Sequence, residues 1–216
     1  MQKKKRGTSG GAIGADAAWT EAAVRAGWHM TVYSFPGHNR RIPPLASKNI
    51  SIQILTAEEL QTMAPHVDEI RRTVTYRANS KNPYVVNLLL RDGFVVKDVG
   101  AVYAVGRLLE SGMVEGGTGG TVYLYIYLME MAELPIHAWL FDMNSNQWLL
   151  YEATTKTWKV TEPPEGAGDT LCAFIGSRNL TEQGHEAIKR FFDTVEVEPK
   201  VKQVKVEEGE EVEEVL

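Results

Sequence analysis

A glycine-rich segment near the start of the sequence, GTSGGAIGAD at residues 7–16, runs directly into an alanine-rich stretch that favours a helix. Glycines let the backbone turn sharply and let a ligand approach the main chain. The first amide groups of a helix have no partners within it, and the helix dipole favours an anion there. The segment therefore predicts a phosphate-holding loop between a strand over residues 2–9 and a helix over residues 17–26.

A second glycine-rich segment, EGGTGG at residues 115–120, repeats this pattern in the middle of the chain. It follows a continuous apolar stretch over residues 100–108, which is typical of a strand buried on both faces. It precedes residues 121–134, which are apolar nearly all round and predict a helix buried in the domain or in a subunit interface. Two such loops on neighbouring parallel strands would place two sets of backbone amides at one edge of a sheet.

The rest of the chain alternates strand-like and helix-like segments, which favours a Rossmann-like three-layer α/β sandwich with a mainly parallel sheet. Further strands are predicted over residues 28–35, 136–142 and 170–176, with a small β-hairpin insertion over residues 147–160. Further helices are predicted from Ala57 to about Arg77, from Pro83 to Leu90 and over residues 180–195. We expect one domain over residues 1–194. Residues 195–216 predict a solvated acidic tail, with an added edge strand as the alternative.

Charge and composition exclude several classes of function. The net charge is −5, and residues 195–216 carry all of it with eight Glu and three Lys, so the neutral body lacks the basic field expected for nucleic acid binding. The single cysteine, Cys172, excludes an intramolecular disulfide and favours a reducing, cytoplasmic compartment. The histidines lack metal-ligand spacing, and no secretion signal or membrane-spanning stretch is found. We therefore predict no metal site, no required cofactor and no membrane contact.

Several motifs together resemble the SLOG superfamily, and more narrowly its circularly permuted YpsA-like branch. They are TSGGAIGADAAW, YSFPGH at 33–38, VEGGTGG at 114–120, FD with W at 141–148, and FIGSRNLTEQGHEAI at 174–188. In the usual order of that superfamily the GSR unit comes first, whereas IGSRNLT comes last here. The resemblance implies a Rossmannoid nucleotide-binding fold in which residues 170–194 fold beside the N-terminal strand. Circular permutation is tolerated where chain termini lie close together.

The resemblance also implies which residues bind the ligand. The residues carried over by motif are Gly10, Gly11, Gly14 and Asp16 in the first loop, Gly116, Gly117, Thr118 and Gly119 in the second, and Gly176, Ser177 and Arg178 in the third. Arg91 matches an arginine common in the family, although a position at a helix end would explain it through the helix dipole alone.

Other polar and aromatic residues are candidates on their own chemistry. Thr8 and Ser9 add hydroxyl groups to the first loop, and Asp16 is placed either to cap the helix or to accept a hydrogen bond from a ribose or base. His38, with Arg40 and Arg41, belongs either to a phosphate clamp or to a solvated loop. Four aromatic residues are candidates for stacking on a base or for packing in the core: Trp19, Tyr33, Phe35 and Trp148. Of three tyrosines on one helix, we expect at least one to reach a hydroxyl partner or a subunit: Tyr123, Tyr125 and Tyr127.

The same resemblance also implies a function. Phosphoribohydrolases of the LOG type in this superfamily carry PGGxGTxxE, whose glutamate supports N-glycosidic bond cleavage. Aligned on the second glycine pair, the position of that glutamate is Tyr123 and the position of the proline is Glu115. We therefore predict that the protein senses or sequesters a nucleotide-derived signal without turnover. The expected ligand is of the NAD or ADP-ribose type, for example cyclic ADP-ribose, and sequestering it would blunt an immune signal, an anti-defence role.

Two alternatives stay open at this stage. One is an N-glycosidase or nucleotide hydrolase that uses Asp16 or Glu115 as its carboxylate. The other is a structural homo-oligomer that assembles through the helix over residues 121–134 and has a vestigial pocket.

Overall fold

The computed structural model describes residues 5–41, 48–73, 81–166 and 170–193, which form a single sheet with helices on both faces. The strands are β1 (Arg6–Ser9), β2 (His29–Ser34), β3 (Ile50–Ile54), β4 (Ala101–Gly106), β5 (Ala138–Asp142), β6 (Gln147–Glu152), β7 (Thr157–Thr161) and β8 (Cys172–Gly176). The helices are α1 (Ala15–Arg25), α2 (Ala57–Gln61), α3 (Ala64–Thr73), α4 (Pro83–Val96), α5 (Gly116–Met131) and α6 (Glu182–Asp193). This is the Rossmann-like three-layer α/β arrangement that the sequence predicts.

The order of the strands explains where the C-terminal unit belongs. The order is β3-β2-β1-β8-β4-β5-β6-β7, parallel from β3 to β5, with the antiparallel hairpin of β6 and β7 at one edge. Strand β8 lies between β1 and β4 and pairs with both, so Cys172 is opposite Gly7 on one side and Ala101 on the other. The prediction that residues 170–194 fold beside the N-terminal strand is confirmed for the described part. The expectation that the two glycine-rich segments follow neighbouring strands is wrong, because β8 separates β1 from β4.

Each face of the sheet carries its own hydrophobic core. Helices α1 and α6 cover one face, where Trp19 packs on Phe174 with their ring centroids 5.0 Å apart. Helices α2 to α5 cover the other face. Successive residues of β4 pack in opposite cores, Val102 on one face of the sheet and Tyr103 on the other. This confirms the prediction that the strand is buried on both faces.

Helix α5 begins earlier than the sequence predicts. It starts at Gly116, so GGTGG forms the first turn of the helix and is not a loop before it, and it ends at Met131. Residues 118–126 are all buried within this one chain, which accounts for the apolar composition of the helix. Self-association through residues 121–134 stays a prediction.

Several boundaries also differ from the predicted ones. Helix α1 begins at Ala15, which puts Asp16 in its first turn, and α4 continues past Leu90 to Val96. The capping box of Thr56 and Glu59 forms, and the predicted helix after it is divided into α2 and α3 at the turn before Pro65. Strand β3 was missed because its short alternation of isoleucines follows a proline-rich stretch. Parts of the predicted segments, namely residues 74–77 and the tail over residues 195–216, lie outside the described residues.

One negative observation bears on the membrane. Among the described residues, no helix combines the length and the apolar character that crossing a bilayer requires.

Candidate functional site

The loops after β1, β8 and β4 meet at the edge of the sheet where these parallel strands end. Helix α1 follows β1 and α6 follows β8 on one face, whereas α5 follows β4 on the opposite face. The chain therefore leaves two neighbouring strands, β8 and β4, on opposite faces of the sheet, and we refer to this edge of the sheet, with the loops after β1 and β2 beside it, as the crevice. Open α/β sheets bind their ligands at this kind of position.

The glycine-rich loop after β1 packs tightly against the loop after β8. The N–H of Ala15, at the start of α1, donates to the carbonyl oxygen of Ser177 at 2.9 Å. Gly14 has φ +99°, and a methyl group on it would lie 2.4 Å from that same carbonyl oxygen. The N–H of Gly11 donates to the hydroxyl of Ser9 at 3.4 Å. Several groups that were expected to hold phosphate are therefore engaged in joining the two loops.

Asp16 joins the same loops through its carboxylate. Its side chain is buried and accepts hydrogen bonds from the N–H groups of Ala12, at 3.3 Å, and Gly176, at 3.0 Å. Burial raises the pKa of Asp16 to about 6, against the opposing effect of the Arg91 charge and the two amides. Both carboxylate oxygens are thus used within the chain, and a contact between Asp16 and a ligand stays a prediction.

Arg91 reaches this site from the interior of α4. The prediction that it ends a helix is wrong, because α4 continues to Val96. Arg91 is 4% exposed, and its Nη1 lies 3.2 Å from Asp92 Oδ1 and 3.9 Å from Asp16 Oδ2. A methyl group on Gly10 would lie 1.3 Å from that nitrogen, so only glycine leaves room for the guanidinium. Within the described chain, Arg91 Nε has no hydrogen-bond partner.

His38 is buried in this cluster, so the alternative of a solvated loop is wrong for its side chain. The residue is 6% exposed, and its ring stacks on Phe35 with the centroids 5.0 Å apart. Nδ1 lies 3.1 Å from the Oγ of Ser34, whereas Nε2 has no hydrogen-bond partner among the described residues. Burial lowers the pKa of His38 to about 4, and three cations add to this effect: Arg91, Arg178 and Arg40. The ring is therefore neutral near pH 7.

The arginines give the crevice a net positive charge. Arg178 is exposed just beyond β8, and Arg40 is exposed and donates to the Ser34 hydroxyl at 3.4 Å. Two carboxyl groups offset them, Asp16 and Asp92, and burial raises the pKa of both. Three guanidinium groups against two carboxyl groups leave an excess that favours an anionic ligand.

Asp92 was missed among the predicted site residues. Its carboxyl group is largely buried and faces the Arg91 guanidinium, with Asp92 Oδ1 3.2 Å from Arg91 Nη1. The available signal was the adjacent Arg-Asp pair inside the otherwise apolar stretch LLLRDGFVV. Two neighbouring charges inside a buried helix need partners, because an unpaired buried charge is costly.

The N-terminus of α5 lies across the crevice and is more open than that of α1. A methyl group on Gly119 would lie 2.1 Å from the Val114 carbonyl oxygen, and Gly116 has φ +61°, so the fold itself requires both glycines. Gly117 differs, because no atom lies within 4 Å of the position that its Cβ would take. Its missing side chain therefore leaves free space above the first amides of the helix. Thr118 is buried against Gly106.

The position that matches the catalytic glutamate has a structural role here. The hydroxyl of Tyr123 accepts hydrogen bonds from the N–H of Val114, at 3.1 Å, and from Trp158 Nε1, at 3.4 Å. Glu115, the predicted alternative, is exposed, and its Oε2 lies 3.6 Å from Arg107 Nη1. The hydroxyl groups of Tyr123 and Tyr125 thus pair with backbone or indole groups of the same chain, and a tyrosine contact with a hydroxyl partner or a subunit stays a prediction.

The aromatic candidates and the remaining polar ones mostly pack in the body of the domain. Trp19, Phe35 and Trp148 are buried in the cores, whereas Tyr33 is half-buried. The hydroxyl of Thr8 donates to the carbonyl oxygen of Val95 at 2.7 Å, so it faces α4 and not the crevice.

A cavity of about 1310 Å³ lies away from this cluster. It is a groove on the outer face of the domain between α1 and α6, and of the candidate residues it includes Gly14, Arg41 and Arg178. Its walls are helix surfaces, whereas the charged groups described above gather at the strand ends. In the described ranges, no group of three or more His, Cys, Asp or Glu side chains has a geometry suited to a metal ion.

Comparison with known proteins finds few similar proteins. No protein-family model matches the chain, and no curated protein matches it. One similar solved structure is the "Putative molybdenum carrier protein" of Syntrophus aciditrophicus SB, with 12% sequence identity and a TM-score of 0.43. The match covers 89% of this chain and 94% of that chain. Membership of the SLOG superfamily and of its permuted branch stays a prediction.

Proposed function

We propose that the protein binds a phosphorylated, nucleotide-type small molecule in the crevice between β8 and β4 and holds it without turnover. One observation carries this proposal, the excess of guanidinium groups at this edge of the sheet, where Arg91 lies against the loop after β1, Arg40 follows β2 and Arg178 follows β8. Arginine binds phosphate oxygens through paired N–H groups, so a cluster of this kind favours a phosphoryl ligand over a carboxylate or a neutral one.

Two separate anion positions favour a ligand with more than one phosphate. The open N-terminus of α5 at Gly117 is one anion position, and the cluster around Arg91 and Arg178 is a second. A pyrophosphate would span the two positions, with a nucleoside at either end. The resemblance to the SLOG superfamily suggests the NAD or ADP-ribose class, including cyclic ADP-ribose, and a role in sensing or sequestering such a signal.

Binding without turnover is supported by what the candidate carboxylates already do. Asp16 accepts two backbone hydrogen bonds, Glu115 pairs with Arg107, and Tyr123 holds Val114. Cleavage of an N-glycosidic bond needs a carboxylate beside the developing positive charge of the sugar. None of these three residues offers one that is free.

A hydrolase that uses Asp16 is the second candidate, and one observation favours it. Burial raises the pKa of Asp16 to about 6, which is the range expected of a general acid near neutral pH. In that mechanism Asp16 would give up its hydrogen bond with Ala12 or Gly176 when substrate binds.

A ligand-depletion experiment separates the two candidates. The protein is incubated with NAD, ADP-ribose, cyclic ADP-ribose and AMP, separated from free ligand and denatured by heat, and the released molecules are identified by mass spectrometry. Intact ligand released only on denaturation supports holding without turnover, whereas a free base or ribose phosphate supports the hydrolase. If none of the four molecules is depleted, the proposed ligand class is wrong.

Two arginine variants test whether the ligand binds in the crevice. Arg178→Gln removes one guanidinium of the cluster, and we expect it to weaken binding at least tenfold. Arg25→Gln is the matched control, because Arg25 is also exposed but pairs with Glu21 on the outer surface of α1. Equal losses of binding in both variants would place the site elsewhere.

A further inference from the structure

Two buried polar atoms in the crevice lack partners, and they lie in the same cluster. Arg91 Nε and His38 Nε2 have no hydrogen-bond partner among the described residues, although both side chains are more than nine-tenths buried. Leaving a buried donor or acceptor unpaired costs about 1–3 kcal/mol, so folded proteins seldom do so without a reason. A bound group that pairs with both atoms is such a reason.

His38 is surrounded by cations and has no anion of its own. Its ring faces Arg91 from α4, Arg178 from the loop after β8 and Arg40 from its own loop, while Phe35 and Ser34 hold it in place. The two buried carboxyl groups of this cluster, Asp16 and Asp92, face Arg91. In the neutral ring either tautomer leaves Nε2 unpaired, and in the protonated ring Nε2 becomes a donor that needs an acceptor.

We propose that His38 and Arg91 form a proton-linked phosphoryl subsite, in which Arg91 Nε and His38 Nε2 donate to phosphoryl oxygens and His38 takes up a proton from solvent as the ligand binds. The phosphoryl charge offsets the three arginines and provides the acceptor that a protonated ring requires. Nδ1–H then donates to the Ser34 hydroxyl oxygen. This inference rests on the proposed function, because the anion is the phosphoryl group of the held ligand.

The linkage makes binding depend on pH. In the free protein His38, with a pKa of about 4, is about 1% protonated at pH 6. If the bound phosphoryl group brings the pKa above 7, binding at pH 6 takes up close to one proton. Between pH 7 and pH 5, the Kd then falls about tenfold for each unit by which the pH is lowered. Asp16, whose pKa is about 6, also binds protons in this range, so only the part of the uptake that His38→Gln removes is assigned to His38.

Calorimetry with two probes measures this uptake. ADP-ribose and sodium sulfate do not titrate between pH 5 and pH 7, so any proton taken up from the buffer is bound by the protein. Binding is measured at pH 6 in buffers of different ionisation enthalpy, for the wild type and for His38→Gln. The matched control is His29→Gln, because His29 Nε2 also lies near a serine hydroxyl, Ser51 Oγ at 2.9 Å, but at the opposite end of β2.

The expected result is that the wild type and His29→Gln each take up close to one proton more than His38→Gln. Binding of ADP-ribose with no uptake, or with an uptake that His38→Gln leaves unchanged, overturns the inference and leaves the proposed function standing. Uptake linked to His38 with sulfate, but no binding of any nucleotide, supports the subsite and overturns the nucleotide assignment.

Nuclear magnetic resonance of the wild-type protein provides a readout that needs no variant. The imidazole nitrogens of His38 are followed between pH 5 and pH 8 with and without 50 mM sulfate. We expect Nε2 to be protonated at pH 6 only when sulfate is present. Unchanged imidazole signals in the presence of sulfate and of ADP-ribose overturn the inference.

Discussion

The guanidinium of Arg91 occupies the space that any side chain on Gly10 would need. A methyl group on Gly10 would lie 1.3 Å from Arg91 Nη1 and 2.7 Å from Asp16 Oδ2. Gly10 therefore lacks a side chain because the guanidinium of Arg91, a residue of α4, fills the space beside it. It does not serve to bring the backbone close to a ligand. The distinction is testable, because the two roles predict different consequences of adding a single methyl group.

Gly10→Ala is expected to destabilise the fold by about 2–4 kcal/mol, because the methyl group displaces a buried charge from its partners. Urea unfolding measures the free energy of unfolding. The matched variant is Gly117→Ala, whose methyl group meets open space within a helix. We expect it to stabilise the protein by about 0.5–1 kcal/mol through the lower entropy of the unfolded chain. Equal stability of wild type and Gly10→Ala would contradict the packing role.

Gly117→Trp is expected to leave the fold intact and to weaken binding of the nucleotide ligand at least tenfold, because the indole fills the space above the N-terminus of α5. The affinity is measured by calorimetry with whichever ligand the depletion experiment identifies. Ala57→Trp is the control, since Ala57 is an exposed residue in the first turn of α2. Full affinity of Gly117→Trp would remove this helix end from the site.

His38→Gln is expected to make the protein relatively more stable in acid. The folded-state pKa of His38, about 4, lies below the unfolded value of 6.5, so the unfolded chain binds more protons between these values. The stabilising effect of the neutral ring is complete above pH 6.5 and is lost as the pH falls towards 4. Urea unfolding at pH 7.5 and pH 5 should show the wild type losing about 2 kcal/mol relative to the variant. A constant difference would show that His38 is not held neutral.

Asp16→Asn is expected to make the protein relatively less stable in acid, which is the opposite of the effect of His38→Gln. The folded-state pKa of Asp16, about 6, lies above the unfolded value of 3.8, so the folded chain binds more protons between these values. The contribution of Asp16 to stability is complete below pH 3.8 and is lost as the pH rises through 6. Between pH 7 and pH 5, the wild type should gain about 1 kcal/mol relative to Asp16→Asn. The same sign for Asp16→Asn and His38→Gln would contradict one of the two assignments.

Tyr123→Phe is expected to destabilise the protein by about 1–2 kcal/mol, because the buried N–H of Val114 loses its acceptor. The melting temperature and urea midpoint measure the change. Tyr127→Phe removes the same hydroxyl from a half-buried position of the same helix, and we expect an effect within about 0.5 kcal/mol. A larger effect at Tyr127 would show that its hydroxyl also has a structural role.

The sequence alone predicted the fold class, most strands and helices, and the return of the C-terminal βα unit beside β1. The fold class and the elements follow from local patterns, because a buried parallel strand is continuously apolar and a helix start has recognisable capping residues. The place of the C-terminal unit was implied by the resemblance to the SLOG superfamily. The capping box at Thr56 and the strand over residues 100–108 are of this kind. Most boundaries are correct to within a few residues, and the larger errors lie at glycines and at the end of α4.

What each polar residue does was decided only by the tertiary structure. The glycines of the first loop carry no information about their neighbours, and contacts with α4 and with the loop after β8 determine why they are glycines. Arg91, Asp92 and His38 are distant in sequence from Asp16 and Arg178, and burial together is what shifts their pKa values and leaves Arg91 Nε and His38 Nε2 unpaired. Desolvation and charge coupling depend on distances in space, which no local pattern in the sequence encodes.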